Sequence, residues 1–381
     1  MLKNKEDCVG CYACFNACPQ KCITMENDAE GFIYPVCKEK ECKKCNLCVK
    51  VCPILNPVKV QNNPSAYACI NKDETIRSQS SSGGLFTLIA EYVIDKKGVV
   101  FGAEFDNHFM VLHSYVDKKQ NLEGFRGSKY VQSKVGNTYK ETEYFLKQGI
   151  EVLYSGTPCQ IAGLKSYLGQ DYDNLLCVDI ICHGVPSPLV LQKYIAYQEK
   201  IFSSSPLRIS FRQKTKGWEN FSISILFEND LKYEEIHKND PFMKAFLKNL
   251  CLRPSCYSCN FKTLHRQSDI TLADFWGIKN LLPSMDDDRG TSLIFINNNK
   301  GELIFNKIKE RTIHKAVDIN KAIAYNPPAT KSVKYAPKRK IFFKNLEKVP
   351  FDRLVEKCTY VELNSKLFNL TYKKLRKLNI I

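Results

Sequence analysis

A mixed α/β body preceded by a small cysteine-rich module is the fold class that three observations predict. Within the first 52 residues, eight cysteines form two copies of one spacing pattern. From Val152 onward, apolar strand-like runs end in polar loops and give way to helical runs, the alternation expected of a sheet layered with helices. With 381 residues, 44 % hydrophobic and 25 % charged, the chain can bury two or three cores. The predicted class is therefore α/β in the broad sense that includes α+β.

The module is defined by Cys8-x2-Cys11-x2-Cys14-x3-Cys18-Pro19 and Cys42-x2-Cys45-x2-Cys48-x3-Cys52-Pro53. This is the ligand spacing of a bacterial ferredoxin carrying two 4Fe-4S clusters, in which three closely spaced thiolates wrap one cubane and the fourth, before proline, crosses to the other. Cys8, Cys11, Cys14 and Cys52 are expected to hold one cluster, and Cys42, Cys45, Cys48 and Cys18 the second. Paired Cys-x2-Cys units also bind zinc, but a four-cysteine zinc site needs neither the third step nor the crossed Cys-Pro. The ferredoxin domain spans residues 1–60, and Asn56 to Ser65, with Pro57 and Pro64, reads as a linker.

Beyond the linker, Ser65 to Ile70 reads as a strand, and Ser81-Ser82-Gly83-Gly84 opens an amphipathic helix from Leu85 to Ile94. Gly98 to Phe105 and Met110 to Val116 are strands joined by a turn at Asp106 to His108. Val152 to Ser155 runs into the loop Gly156-Thr157-Pro158-Cys159, and Leu175 to Ile181 into Cys182-His183-Gly184. A helix is expected from Leu189 to Lys200. Further strands are expected at Arg208 to Arg212, Ser222 to Phe227, Ile270 to Ala273 and Leu293 to Asn297. Ligands of such sheets gather in loops beyond the strand ends.

Cys256-x2-Cys259 offers two more ligands, which cannot complete a site alone. Cys159 and Cys182, both at strand ends, are the expected partners, so a third 4Fe-4S cluster is assigned to Cys159, Cys182, Cys256 and Cys259. Cys251 stands in reserve. The alternative is that Cys159 and Cys182 are small buried hydrophobes; Cys22, Cys37, Cys69, Cys177 and Cys358 are assigned such structural roles.

Clusters move single electrons and most metabolic steps move two, so a flavin is the expected converter. The Ser-Ser-Gly-Gly turn at a helix start is able to present backbone N–H groups to a phosphate, although plain helix capping gives the same pattern. Arg126 to Ser133 adds cations and an aromatic.

Fifty-six basic against 40 acidic residues give a formal charge of +16, which points towards nucleic acid or acidic membranes. The excess is local: residues 331–381 carry 14 basic and four acidic side chains, a net +10. No nucleic-acid partner is expected. Leu363, Leu367, Leu370, Leu375 and Leu378 amid lysines and Arg376 suggest a basic amphipathic helix resting on the body, on a partner or peripherally on a membrane. Neither a membrane span nor a signal peptide is evident, and 18 cysteines without export suit reduced thiols in the cytoplasm.

These motifs occur in a familiar order: the double ferredoxin pattern, Ser-Ser-Gly-Gly at 81–84, Gly-Ser-Lys-Tyr-Val-Gln-Ser at 127–133, Gly-Thr-Pro-Cys-Gln at 156–160, Cys-His-Gly-Val-Pro-Ser-Pro at 182–188, Cys-x2-Cys at 256–259 and Asp-Phe-Trp-Gly at 274–277. The chain resembles the coenzyme F420 hydrogenase/dehydrogenase beta-subunit family. The resemblance implies an FAD-containing iron-sulfur oxidoreductase with its catalytic domain divided into an N-terminal part at 65–145 and a C-terminal part at 146–330. It implies FAD phosphate at Ser82, Gly83 and Gly84, flavin near Lys129 and Tyr130, and a redox partner protein or ferredoxin. The substrate would be small and soluble, an F420-like deazaflavin or a metabolite of polysaccharide synthesis. Lys129 and His183 are the candidate catalytic residues, with His183 otherwise a hydrogen-bonding support. The alternative is an electron-transfer adaptor without substrate chemistry of its own.

Overall fold

The computed structural model describes Leu2 and residues 4–360. Thirteen strands lie among them. The first two are β1 (Ile23–Asn27) and β2 (Ile33–Cys37), followed by β3 (Ser65–Asn71), β4 (Val99–Phe105), β5 (Val111–Val116), β6 (Val152–Gly156) and β7 (Leu175–Ile180). Then come β8 (Pro206–Gln213), β9 (Ser222–Phe227), β10 (Lys232–Ile236), β11 (Ile270–Asp274), β12 (Ser292–Ile296) and β13 (Thr312–Val317).

The N-terminal module is an antiparallel β1–β2 hairpin with short helices at Ala13–Ala17 and Leu47–Lys50. The body is an eight-stranded sheet in the order β13-β3-β12-β11-β7-β6-β4-β5. Its centre is parallel, β4 with β6, β6 with β7 and β7 with β11, and both flanks are antiparallel. The sheet is thus mixed.

Side-chain alternation divides the body into two layers. Val100, Leu153, Leu176, Val178 and Ile294 pack on one face against the helices Leu85–Asp95 and Asn299–Ile308. Val99, Phe101, Val152, Tyr154, Leu175 and Cys177 point the other way, towards the helices Thr138–Lys147 and Pro158–Leu168 and the N-terminal module. Gly163 matters here. A methyl group on it would meet Cys11 Cβ at 2.7 Å and Cys11 Sγ at 2.9 Å, so glycine lets the module sit flush on the helix.

The antiparallel sheet β8–β9–β10 forms a second core with the helices Pro188–Phe202 and Pro241–Leu247. The basic segment joins this core, because Phe342, Leu346, Phe351, Leu354, Val355 and Cys358 are buried in it. Up to residue 360, therefore, that segment is no free tail. The leucines at 363–378 lie outside the described residues. No helix among the described residues is long and apolar enough to cross a membrane.

The expected strands and helices from Ser65 to Asn297 are all present, with ends differing by a residue or two. One loop is shorter than expected: Pro158 and Cys159 open the helix Pro158–Leu168, which starts with a capping box between Thr157 and Gln160.

Candidate redox site

The parallel strands β6, β7 and β11 end on one edge of the sheet; Cys159 and Cys182 lie in the segments that follow β6 and β7, and Asp274 is the last residue of β11. A cleft of about 580 Å³ opens there.

The structure brings four predicted ligands together: Cys159, Cys182, Cys256 and Cys259 line one narrow recess. Burial raises the thiols of Cys159 and Cys182 and pushes Cys256 up to about 12. Buried thiols of this kind ionise when a cation compensates them, which is what iron offers. No three of these sulfurs crowd as a single ion would require. The recess therefore suits a cluster better than zinc. Cys251 is not among the residues lining the recess and lies buried in the neighbouring apolar core, as Cys69, Cys177 and Cys358 lie buried in theirs.

In the N-terminal module, Cys8, Cys11, Cys14 and Cys52 line a cavity of about 340 Å³. Burial holds Cys11 well above the usual thiol range and Cys14 at about 12. Of the second set, Cys18, Cys42 and Cys48 gather in one cluster, while Cys45 is exposed. Cys22 and Cys37 belong to that same cluster, although as isolated cysteines in the sequence they are expected to be ordinary core residues.

The cleft and the recess share a wall. Val9, Thr157, Cys159, Cys182, His183 and Val185 line both. Val9 also borders the cavity of the first cysteine set, so one side chain touches all three spaces.

Around the cleft, Ser82, Gly84, Lys129, Tyr130 and His183 are wall residues. Gly83 is not. Its N–H donates to Ser292 Oγ at 2.9 Å, and a methyl group there would strike Cys69 O at 2.4 Å, so its role is packing. Gly84 is buried as well, and the carbonyls of Ser81 and Ser82 accept from Arg212 and Lys214. Ser81 Oγ accepts the Ser128 N–H at 2.7 Å and joins the two predicted flavin segments. Lys129 donates to Arg126 O and Gly127 O, and burial lowers its ammonium to about 8. His183 Nε2 donates to Asn249 Oδ1 at 2.8 Å, and burial lowers its pKa, so the ring is neutral with its Nε2 proton already engaged.

Two wall residues carry no signal in the sequence motifs. Arg212 is buried, pairs bidentately with Asp274 at 2.7 and 3.0 Å, donates to Tyr130 Oη at 3.2 Å and lies 4.0 Å from the Phe221 ring centroid. Asp274 also accepts from Trp218 Nε1, and Trp218 stacks on Trp276 at 4.7 Å. The Asp-Phe-Trp-Gly segment is thus the anchor of a buried cation. His113 is the other. Its Nε2 faces Ser155 O, so that nitrogen carries the proton and Nδ1 accepts from Ser133 Oγ; burial lowers its pKa to about 4.

The wall also suits a flavin. Hydroxyls and cations, Ser81, Ser82, Ser128, Arg126 and Lys129, stand among aromatic and aliphatic surfaces that include Tyr130, Phe246 and Trp276.

Residues 150–322 match the family model for the C terminus of the coenzyme F420 hydrogenase/dehydrogenase beta subunit, and residues 7–55 match a 4Fe-4S dicluster domain. The ketoisovalerate oxidoreductase subunit VorC of Methanothermobacter marburgensis is 32 % identical over 59 residues, covering 15 % of this chain and 75 % of that protein. A structure of the F420-reducing NiFe hydrogenase complex from Methanosarcina barkeri aligns with a TM-score of 0.47 and 15 % identity, over 78 % of this chain and 91 % of that chain.

Proposed function

Because the chain belongs to the coenzyme F420 hydrogenase/dehydrogenase beta-subunit family and carries an N-terminal 4Fe-4S dicluster domain, we propose that this iron-sulfur oxidoreductase subunit works with FAD on a small soluble substrate. An F420-like deazaflavin and a metabolite of polysaccharide synthesis are the two substrate classes. A redox partner protein or ferredoxin in the cytoplasm exchanges electrons with the N-terminal module.

The observation that carries the reading is the shared wall: two of the residues that line both the four-cysteine recess and the cleft, Cys159 and Cys182, are themselves ligand candidates. Flavin, when bound, supplies the exchange between one hydride and two single electrons. The chain's own residues do the rest. Cys8, Cys11, Cys14 and Cys52, then Cys42, Cys45, Cys48 and Cys18, would hold the two module clusters, with Cys159, Cys182, Cys256 and Cys259 holding a third. Ser82 and Gly84 border the place for the phosphates. Lys129 sets a positive charge beside the ring, Tyr130 is held by Arg212 and by stacking on Phe246 at 4.8 Å, and His183 orients the wall through Asn249. The hydrogen bond that occupies His183 Nε2 favours the supporting role over proton donation.

The second reading, an adaptor whose chemistry occurs on another polypeptide, is favoured by the name of VorC as a subunit. Anaerobic reconstitution with FAD separates the two. About one flavin per chain, bleached when the clusters are reduced, is the expected result; full iron content with no retained flavin supports the adaptor.

A further inference from the structure

Two cysteines outside every expected ligand set sit against the second cluster's ligands. Cys22 precedes β1 and Cys37 ends β2, where Ile23 and Cys37 are directly paired and the Lys38 N–H donates to Cys22 O at 2.8 Å. Cys22 lies just outside β1, so its thiol is not bound to the strand alternation that would turn it away from Cys37. Cys22 Sγ lies 3.4 Å from Cys18 Sγ, and the sulfurs of Cys22, Cys37 and Cys42 all lie within 4.8 Å of one another. Among the described residues this is the tightest thiol grouping, and Cys22 is only 2 % exposed. The remaining cysteines without an assigned ligand role each sit in apolar surroundings without such neighbours.

We propose that Cys22 and Cys37 are positioning residues that donate S–H···S hydrogen bonds to the ligand sulfurs Cys18 and Cys42 and so raise the reduction potential of the second cluster above that of the first. The proposal rests on the assignment of Cys18 and Cys42 as ligands. A thiolate bound to iron has lone pairs to accept, and a neutral thiol has one proton to give. Hydrogen bonds to cluster sulfurs stabilise the extra negative charge of the reduced state, which is one of the protein's means of setting a cluster potential. The Lys44 N–H adds a donor to Cys42 Sγ at 3.4 Å, so the acceptor sulfur is already in a donor-rich setting. The cavity of the first ligand set is lined by no thiol outside the two expected ligand sets: its cysteines are Cys8, Cys11, Cys14, Cys52 and Cys48, and its other lining is mixed, from Met25, Val36 and Ile54 to Lys5, Glu26 and Asp28. The consequence is a direction of flow within the module, with the second cluster as the electron-holding end.

The test is a redox titration of anaerobically prepared full-length protein by paramagnetic resonance, in wild type, Cys22→Ala, Cys37→Ala and Cys22→Ser. The alanine variants are expected to keep their iron and to lower one of the module potentials by about 59 mV, the one-electron equivalent of a tenfold weaker electron affinity. Cys22→Ser, which keeps a donor, is expected to recover part of the shift. Unmoved potentials at full iron content overturn the proposal, as does loss of about four irons per chain, which would make the residues ligands. Wild-type protein without any reducible cluster would instead overturn the functional reading beneath it.

Discussion

Arg253 donates its Nε hydrogen to the carbonyl oxygen of Cys8 at 2.7 Å. Its guanidinium also reaches Ile33 O at 3.1 Å and lies 4.0 Å from the Tyr34 ring centroid, and the residue is only 1 % exposed. Since Arg253 stands three residues before Cys256, one buried side chain joins the first module cysteine to the loop of the four-cysteine recess. Replacing it with methionine leaves two carbonyls without their donor, at a cost of roughly 2–5 kcal/mol in total. Arg253→Met is expected to unfold at lower denaturant and to be cut rapidly between residues 56 and 64 under limited proteolysis. Unchanged stability and an uncut linker would show that the module is held by other contacts.

Asp274 and Arg212 form the buried ion pair of the cleft. Breaking such a pair from one side costs about 3–5 kcal/mol, because the remaining charge is left without compensation. Asp274→Asn should therefore lose that order of stability in chemical denaturation and fail to retain flavin after reconstitution. A loss below about 1 kcal/mol would place the pair among weakly coupled surface bridges.

Lys129 predicts a pH dependence of definite sign. Burial brings its folded pKa down to about 8, against about 10.4 in an unfolded chain. Below pH 8 both states are protonated and the folded protein bears the full cost of the buried ammonium; between pH 8 and 10.4 only the unfolded chain holds the proton, so this residue's contribution to stability rises with pH. An anionic flavin favours the charged form. Its affinity is expected to fall between pH 7 and 9 in wild type and to stay flat across that range in Lys129→Met, as read by equilibrium dialysis. A wild-type affinity independent of pH would remove Lys129 from flavin binding.

Much of this site was legible because its chemistry is written in short, spaced motifs. Cysteine spacing proposes the two module ligand sets, of which Cys8, Cys11, Cys14 and Cys52 line one cavity, and strand ends point to Cys159 and Cys182 as companions of Cys256 and Cys259, which the fold brings to one recess. Arg212 was not legible. A shift of register in β8 between Ser210 and Gln213 buries both Phe211 and Arg212, breaking the alternation that would have placed the arginine outside. Gly83 looked like part of a phosphate loop, yet its N–H meets Ser292, a partner 209 residues away. Cys22 and Cys37 are hidden for a similar reason: only the folded β1–β2 hairpin brings two cysteines isolated in the sequence beside Cys18 and Cys42.

The central claim is an electron path from the module through Cys159, Cys182, Cys256 and Cys259 to the cleft. The count of iron and acid-labile sulfide per chain in oxygen-free protein tests it most directly, with Cys159→Ala/Cys256→Ala as the comparison. About twelve of each in wild type and about eight in the double variant is the predicted result. About eight in both would contradict it, because the recess beside the cleft would then hold no cluster.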